Sequence, residues 1–415
     1  MAKRIFELPR QDQLTKEQRK ILRLPAKGQY LIVGAPGTGK SVVALMRFKA
    51  LRDDDKVHFL TFNHVLNHAN KYLVNEDESF TYLVNEDDAL SNNMHTAMSW
   101  IYDLQWQISG GTQDTFDEHK MPEIEPHVPD YEALIQRFSD SARRLNDYSL
   151  IIDEGQDLPP GWYEAVEHLH LENFFVVADQ NQQITDQNSS RHEIQICLGL
   201  ESDDVIELKE NWRNTTPIAA FCSYFYTDKA SPKPKIPNRP SADIPILYEY
   251  DMLDKVKEQI LKEYDFDPSK LIGVFVATDV KREDWVKRLQ RDDKKRSNPP
   301  PVVSTYSSEK KGDVNIDFGQ GGIVVLNDKS VKGIEFDTVF IQTDGFVNRT
   351  GSEEILKKRL YVMSSRAREK LYLFKSHIQN SPLEEILPPE GEVFKYKADE
   401  QFDEIEIDVL KRIKL

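Results

Sequence analysis

Apolar positions along this chain gather into short runs rather than long amphipathic stripes. Leu31–Val33, Val57–Leu60, Leu150–Ile152 and Phe174–Val177 form one series; Leu271–Val276, Ile323–Leu326, Val339–Ile341 and Leu371–Phe374 form a second. Short β-rich apolar runs bounded by turn residues predict buried strands of parallel sheets. Helical stretches separate them, and strand–helix alternation twice over predicts two α/β domains. The boundary is expected near Val205–Leu208.

Several regions break this rhythm. Residues 71–90 hold a near-duplicate, KYLVNEDESF followed by TYLVNEDDAL, which is too short for a solenoid and reads as a local duplication in a surface excursion. Residues 108–130 are rich in Gly, Asp, Glu and Pro, and residues 291–322 are charged with Pro and Gly at their ends; both read as loop-rich segments. The expected organisation is a first domain over 1–207 with a small insertion at about 65–147. A second domain follows over 208–381 with a loop-rich excursion at about 281–322, then an acidic C-terminal tail over 382–415.

Composition refines this only modestly. The chain has 415 residues, 39% hydrophobic and 30% charged, enough to bury a core in two or three domains. No run of about 18 apolar residues occurs, and the basic N-terminus is not followed by an apolar stretch, so a cytoplasmic location away from membranes is expected. Cys197 and Cys222 lack metal-ligand spacing and read as buried thiols in a reducing compartment. The net charge of -16 argues against a simple basic nucleic-acid binder. It leaves room for a strand held in one local cleft.

The sharpest chemistry follows the first apolar run. Gly34-Ala35-Pro36-Gly37-Thr38-Gly39-Lys40-Ser41 has the spacing G-x-x-x-x-G-K-S, and Val42–Met46 continues as a helix. Glycines at these positions let backbone N–H groups wrap the phosphates of a nucleotide. Lys40 would place a point charge on them, and the Ser41 hydroxyl would take one position on Mg²⁺. Residues Gly34 to Val42 are therefore expected to bind ATP. Downstream, Leu150–Ile152 runs into Asp153-Glu154. Asp153 would hold the Mg²⁺ shell, and Glu154 would orient and deprotonate the attacking water. Alone, an Asp-Glu pair is a common helix cap; after a phosphate loop it reads as the second half of an NTPase site.

In full, the acidic motif is Asp153-Glu154-Gly155-Gln156-Asp157, and its form D-E-x-Q-D resembles the superfamily 1 DNA helicases of the UvrD/Rep type. Other landmarks follow in that family's order from about Leu14 to Phe374. Leu14–Arg19 resembles the Q motif, which implies that Gln18 contacts adenine; by itself the segment reads as an exposed helix. Leu60-Thr61-Phe62-Asn63 resembles a strand-contacting motif in which Thr61 and Asn63 donate to phosphates. Met94–Trp100 resembles the next such motif, with Thr96 as a contact and Trp100 either a contact or core.

Val177–Ile184 resembles G-D-x-x-Q-x-I, placing Gln182 as the γ-phosphate sensor. Ala178 replaces the usual Gly, and Thr185 stands where an aromatic is common. Base stacking is worth about 1–3 kcal/mol per base, so this departure weakens the expected grip on a strand. Leu208–Arg213 resembles the motif ending in Asn-Tyr-Arg, which implies that Trp212 stacks on adenine and Arg213 reaches the γ-phosphate. Val331–Asp337 resembles K-G-x-E-F, implying nucleotide contacts by Gly333 and Glu335 and a strand contact by Lys332. Asn327 and Lys329 stand where Thr and His are usual. Leu360–Arg368 resembles Y-V-A-x-T-R-A, with Arg366 as a second arginine finger, a role worth about 10³ to 10⁵ in rate. Arg368 reads as a surface or strand-binding charge.

The resemblance implies two RecA-like P-loop NTPase domains with parallel sheets and nucleotide in the interdomain cleft. The gaps from Asn63 to Asp153 and from Arg213 to Asn327 are too short for the large inserted subdomains of full-size relatives. The implied activity is an ATP-dependent helicase or translocase on single-stranded or tailed DNA, moving 3′ to 5′. A rival reading is a nucleic-acid-stimulated ATPase that acts as a switch or clamp beside a nuclease, repair or defence subunit. A scaffold is disfavoured, because it has no use for Lys40, Asp153, Glu154, Arg213 and Arg366.

Overall fold

A computed structural model describes residues 8–51, 56–76, 90–110, 120–126, 128–179, 188–227, 233–291, 300–306, 316–347, 352–378, 381–397 and 404–415. Tertiary contacts divide the chain into two units. The first holds residues 8–34 and Gly39–Leu208; the second holds Lys209–Leu415 together with the loop tip Ala35–Thr38.

In the first unit, the apolar runs become strands of one parallel sheet. Its members are β1 (Gln29–Gly34), β2 (Val57–Thr61), β3 (Met94–Thr96), β6 (Ser149–Asp153), β7 (Asn173–Ala178) and β8 (Ile206–Leu208). The order is β3-β2-β6-β7-β1-β8. A small antiparallel pair, β4 (Glu123–Glu125) and β5 (Val128–Pro129), lies outside it. Parallel register aligns Thr61 with Asp153 and Val33 with Ala178, so the carboxyl ends of β1, β2, β6 and β7 share one edge. Ligands of open α/β sheets bind at that edge.

Helices in this unit start and stop where local chemistry directs. Thr15 and Gln18 form a capping box at α1 (Lys16–Leu22). The next helix, α2 (Lys40–Ala50), opens at Gly39 and buries Val43, Ala44, Leu45 and Phe48. Asn63 Oδ1 accepts the Val65 N–H at the start of α3 (His64–Glu76). Thr96 caps α4 (Ala97–Ser109), which ends at left-handed Gly110. Asp130 caps α5 (Tyr131–Asp140), and Pro160 opens α6 (Pro160–Glu167). Ser190 caps α7 (Arg191–Cys197). The core joins Leu150, Ile152, Trp162, Tyr163 and Val176. Trp100 belongs to it, with its ring 6.1 Å from that of Trp162.

A buried arginine fixes the approach to β1 and the loop that follows it. The Arg47 guanidinium donates to the carbonyls of Leu24, Pro25 and Ala26 and lies over the rings of Tyr30 and Phe175. It ties the link between α1 and β1 to α2, and so sets where Gln18 stands relative to the loop.

The second unit is a seven-stranded sheet in the order β11-β12-β10-β13-β14-β9-β17, with every pairing parallel. Its strands are β9 (Ile246–Tyr250), β10 (Leu271–Val276), β11 (Val303–Tyr306), β12 (Gly322–Asn327), β13 (Phe336–Gln342), β14 (Ala367–Ser376) and β17 (Lys411–Lys414). An antiparallel pair, β15 (Val393–Tyr396) and β16 (Ile405–Asp408), precedes the last strand. The helices are α8 (Thr216–Ser223), α9 (Leu253–Phe266), α10 (Asp279–Gln290), α11 (Glu353–Ser364) and α12 (Pro382–Glu385). Val256, Ile260, Val274, Trp285, Phe340 and Phe374 fill the core on one face.

Two expectations need correction. The excursion expected at about 281–322 includes most of α10 and all of β11. Its charge misled: α10 buries Arg282, Trp285 and Leu289, while the remaining charged residues are partly or fully exposed. The segment expected as an acidic tail supplies the edge strand β17, whose Ile413 aligns with Tyr248 of β9. Within the duplicated stretch, residues 71–76 continue α3, and 77–89 lie outside the described residues.

Candidate nucleotide and nucleic-acid site

The loop that leaves β1 turns on two glycines in the left-handed region, Gly37 at φ 80° and Gly39 at φ 86°. A Cβ at residue 39 would lie 2.3 Å from Gln18 Nε2. Gln18 is buried; its Oε1 accepts the Thr15 N–H at 3.0 Å, which turns the amide nitrogen toward the loop. Gln18 and the loop after β1 are therefore brought together.

Lys40 begins α2, followed by Ser41 and Val42. The Lys40 ammonium donates to the Gly34 carbonyl at 2.7 Å and pairs with Asp179 at 3.3 Å. At the end of β6, Asp153 is buried and accepts a hydrogen bond from the Ser41 hydroxyl. Burial pushes its carboxyl well above the usual range, reinforced by the neighbouring Glu154 carboxylate and opposed by Ser41 and Lys40. Asp153 Oδ2 is buried without a hydrogen-bond partner among the described residues.

Glu154 sits at φ 55°, a conformation that costs a residue with a side chain about 1–3 kcal/mol. Gln156 spans the acidic turn: its Nε2 donates to Glu154 Oε2 at 2.7 Å, and its Oε1 accepts the Asp179 N–H at 2.8 Å. Asp179 and Gln156 were absent from the sequence-based site, although both lie inside the motifs that defined it. Gln182 lies outside the described residues.

An oxygen-only set of the Ser41 hydroxyl and the Asp153 carboxylate, with one carboxylate oxygen uncommitted, fits Mg²⁺. That ion takes few protein ligands and fills the rest of its octahedron with phosphate oxygens and water. Among the described residues, no group of three or more His, Cys, Asp or Glu residues suited to a metal occurs.

The second unit gathers the other candidates. Arg213 Nε donates to Glu335 Oε1 at 2.8 Å, and its Nη2 lies 2.6 Å from the same oxygen. Burial works to raise the Glu335 carboxyl, but Arg213, Arg368 and Arg366 together hold it below its ordinary value. Arg366 is fully buried, its Nε donating to the Val362 carbonyl at 3.1 Å. Trp212 is 59% exposed, and its backbone N–H donates to the Gly37 carbonyl at 2.8 Å within this unit. Gly333 adopts φ 78° ahead of β13.

The strand-contact candidates are less open. Thr61 is buried, and its hydroxyl donates to the Asn63 carbonyl at 3.3 Å. Thr96 is buried with its Oγ1 accepting the Ser99 N–H at 3.2 Å. Lys332 is buried, and Asn63 spends its Oδ1 on the α3 cap. Between Thr61 and Asn63, Phe62 is 43% exposed, an aromatic that the sequence reading passed over.

Among the described residues, no helix is long and apolar enough to cross a membrane. A search of curated proteins gives no significant match. One solved structure, the C-terminal domain of a possible DNA helicase from Lactobacillus plantarum WCFS1, aligns at 19% identity over 43% of this chain and 94% of its own. Its TM-score of 0.29 is too low to bear on function. The family "Schlafen group 3, DNA/RNA helicase domain" matches residues 27–298, from the start of the first sheet into the second. On that match, the chain belongs to the Schlafen group 3 DNA/RNA helicase-domain family.

Proposed function

We propose that the chain hydrolyses ATP and uses it to move on single-stranded DNA, with the superfamily 1 character its motifs suggest and 3′ to 5′ polarity. The observation that carries this reading is the convergence of Lys40, Ser41, Asp153, Glu154 and Asp179 at the carboxyl edge of one parallel sheet. A scaffold would have no reason to bury three carboxylates beside one ammonium.

The residues then divide the work. Backbone N–H groups from Gly34 to Val42 cradle the phosphates, and Lys40 exchanges Asp179 for phosphate oxygen. Mg²⁺, held by Ser41 and Asp153, would neutralise charge on the phosphate oxygens. Glu154, braced by Gln156, takes the proton of the attacking water. Gln18 and Trp212 hold the adenine, while Arg213 and Arg366 balance charge developing on the transferred phosphoryl, with Gly333 and Glu335 beside them. Gln182 reports the γ-phosphate. Thr61, Asn63, Thr96 and Lys332 contact the strand.

The clamp reading keeps one specific support. Thr61 and Thr96 already spend their hydroxyls inside the protein, which leaves few polar groups to grip phosphates. Steady-state ATP hydrolysis with and without single-stranded DNA, wild type beside Glu154→Gln, tests both. Strand-stimulated hydrolysis that vanishes in Glu154→Gln, with opening of tailed duplexes, supports the motor. Stimulation without opening supports the clamp. Glu154-dependent hydrolysis indifferent to any strand removes both readings and leaves an NTPase driven by a protein partner.

A further inference from the structure

Asn211 and Asn214 lie in the turn that carries Arg213, and both side chains are buried. Asn214 Nδ2 donates to the carbonyls of Ser365 at 3.2 Å and Ala367 at 2.6 Å, the residues on either side of Arg366. Its Oδ1 accepts Asn211 Nδ2 at 2.8 Å. Asn211 Oδ1 accepts the backbone N–H groups of Arg213 at 3.0 Å and Asn214 at 3.2 Å. The amide orientations follow from the partners: carbonyls only accept, so the Asn214 nitrogen must face residues 365 and 367.

Two further links close a ring. The Arg366 carbonyl accepts the Phe336 N–H at 3.0 Å, and the adjacent Glu335 holds the Arg213 guanidinium. Arg239 joins the carbonyls of Arg213 and Arg368 from the outside. Three segments far apart in sequence, 211–214, 335–336 and 365–367, are thereby stitched into one frame inside the second unit.

We propose that Asn214, backed by Asn211, is a positioning residue that holds Arg213 and Arg366 in register with each other, an inference that rests on the ATPase reading above. A fully paired buried amide network is rigid, and losing one member loosens the rest. Electrostatic stabilisation of a phosphoryl group depends on donors fixed before the reaction begins. A displacement of about 1 Å in such a group can cost about 10²-fold in rate.

The test is a kinetic cycle of wild type, Asn214→Ala, Arg366→Ala and the double variant, with Glu154→Gln as the blank and thermal unfolding alongside. Asn214→Ala should lower kcat about 10- to 100-fold, with the KM for ATP changed less than about twofold. Added to Arg366→Ala, it should cost clearly less than it does alone, because one of the two groups it holds in register is already gone. A purely structural role would lower the unfolding midpoint and multiply the two losses. If Asn214→Ala does not fold, Asn214→Ser, which keeps one hydroxyl donor, should give a smaller kcat loss with the same lack of additivity. Wild-type hydrolysis that survives the Asn214 variants intact, or losses that multiply, overturns the proposal alone. Wild type without Glu154-dependent hydrolysis overturns the functional reading and the proposal with it.

Discussion

Lys40 and Asp179 form an ion pair of 3.3 Å in which neither side chain is more than 6% exposed. Removing one partner of a buried pair leaves an uncompensated charge and costs about 3–5 kcal/mol. Lys40→Met and Asp179→Ala should each lower the unfolding free energy of the nucleotide-free protein by about 3 kcal/mol. The double variant should lose clearly less than the sum. Urea unfolding measures this, and strict additivity would show that the two residues do not support each other.

Gly39 combines a left-handed backbone with close approach to Gln18. Gly39→Ala carries a backbone penalty of about 1–2 kcal/mol whatever the space available. The Gln18 amide is the end of a flexible side chain and can give way. Gly39→Ala should therefore lose most of its affinity for a non-hydrolysable ATP analogue. Adding Gln18→Ala should recover little of it, as read by calorimetry. Full recovery in the double variant would assign the defect to the side chain rather than the backbone.

Trp212 presents its ring to solvent, so its truncation should cost the fold less than about 0.5 kcal/mol. If the ring stacks on adenine, Trp212→Ala should weaken ATP-analogue binding about tenfold, on the scale of one aromatic contact. Trp212→Phe should stay near wild type. Equal affinity in wild type and Trp212→Ala would remove Trp212 from the nucleotide site.

What the sequence made legible depends on how local the signal was. The eight apolar runs are strands because both faces of a parallel sheet are covered, which makes them read as unbroken hydrophobic stretches. β11, with the sequence VSTY, and β17, with KRIK, were missed because edge strands carry polar side chains and lack that signal. The Gly34–Ser41 loop and the Asp153-Glu154 turn stood out because each is a contiguous run, and the fold brings them together. The Arg213–Glu335 pair and the Asn214 bridge to Ser365 and Ala367 join residues more than a hundred positions apart, and no local pattern announces them. The motif order placed Thr61 and Thr96 but could not show that their hydroxyls point inward.

Burial pushes the Cys197 thiol up to about 11 and that of Cys222 up to about 12. Thiolate forms only as pH rises through those values, so at pH 8 its fraction is on the order of 0.1% or less. Both cysteines should resist iodoacetamide at pH 8 in the folded protein, speed up as pH approaches 11, and react together in urea. Mass spectrometry reads the outcome; rapid labelling of the native protein at pH 8 would mean that a thiol is open and ionised.

The strand that leads into the phosphate loop, β1, lies between β7 and β8. During synthesis the loop emerges early, yet both neighbours of its strand are made far later, near residues 173–178 and 206–208. Long-range parallel pairing of this kind forms slowly. A ribosome stalled before residue 173 therefore carries a loop whose strand lacks both of its partners, and on the ATPase reading such a nascent chain should be blind to ATP.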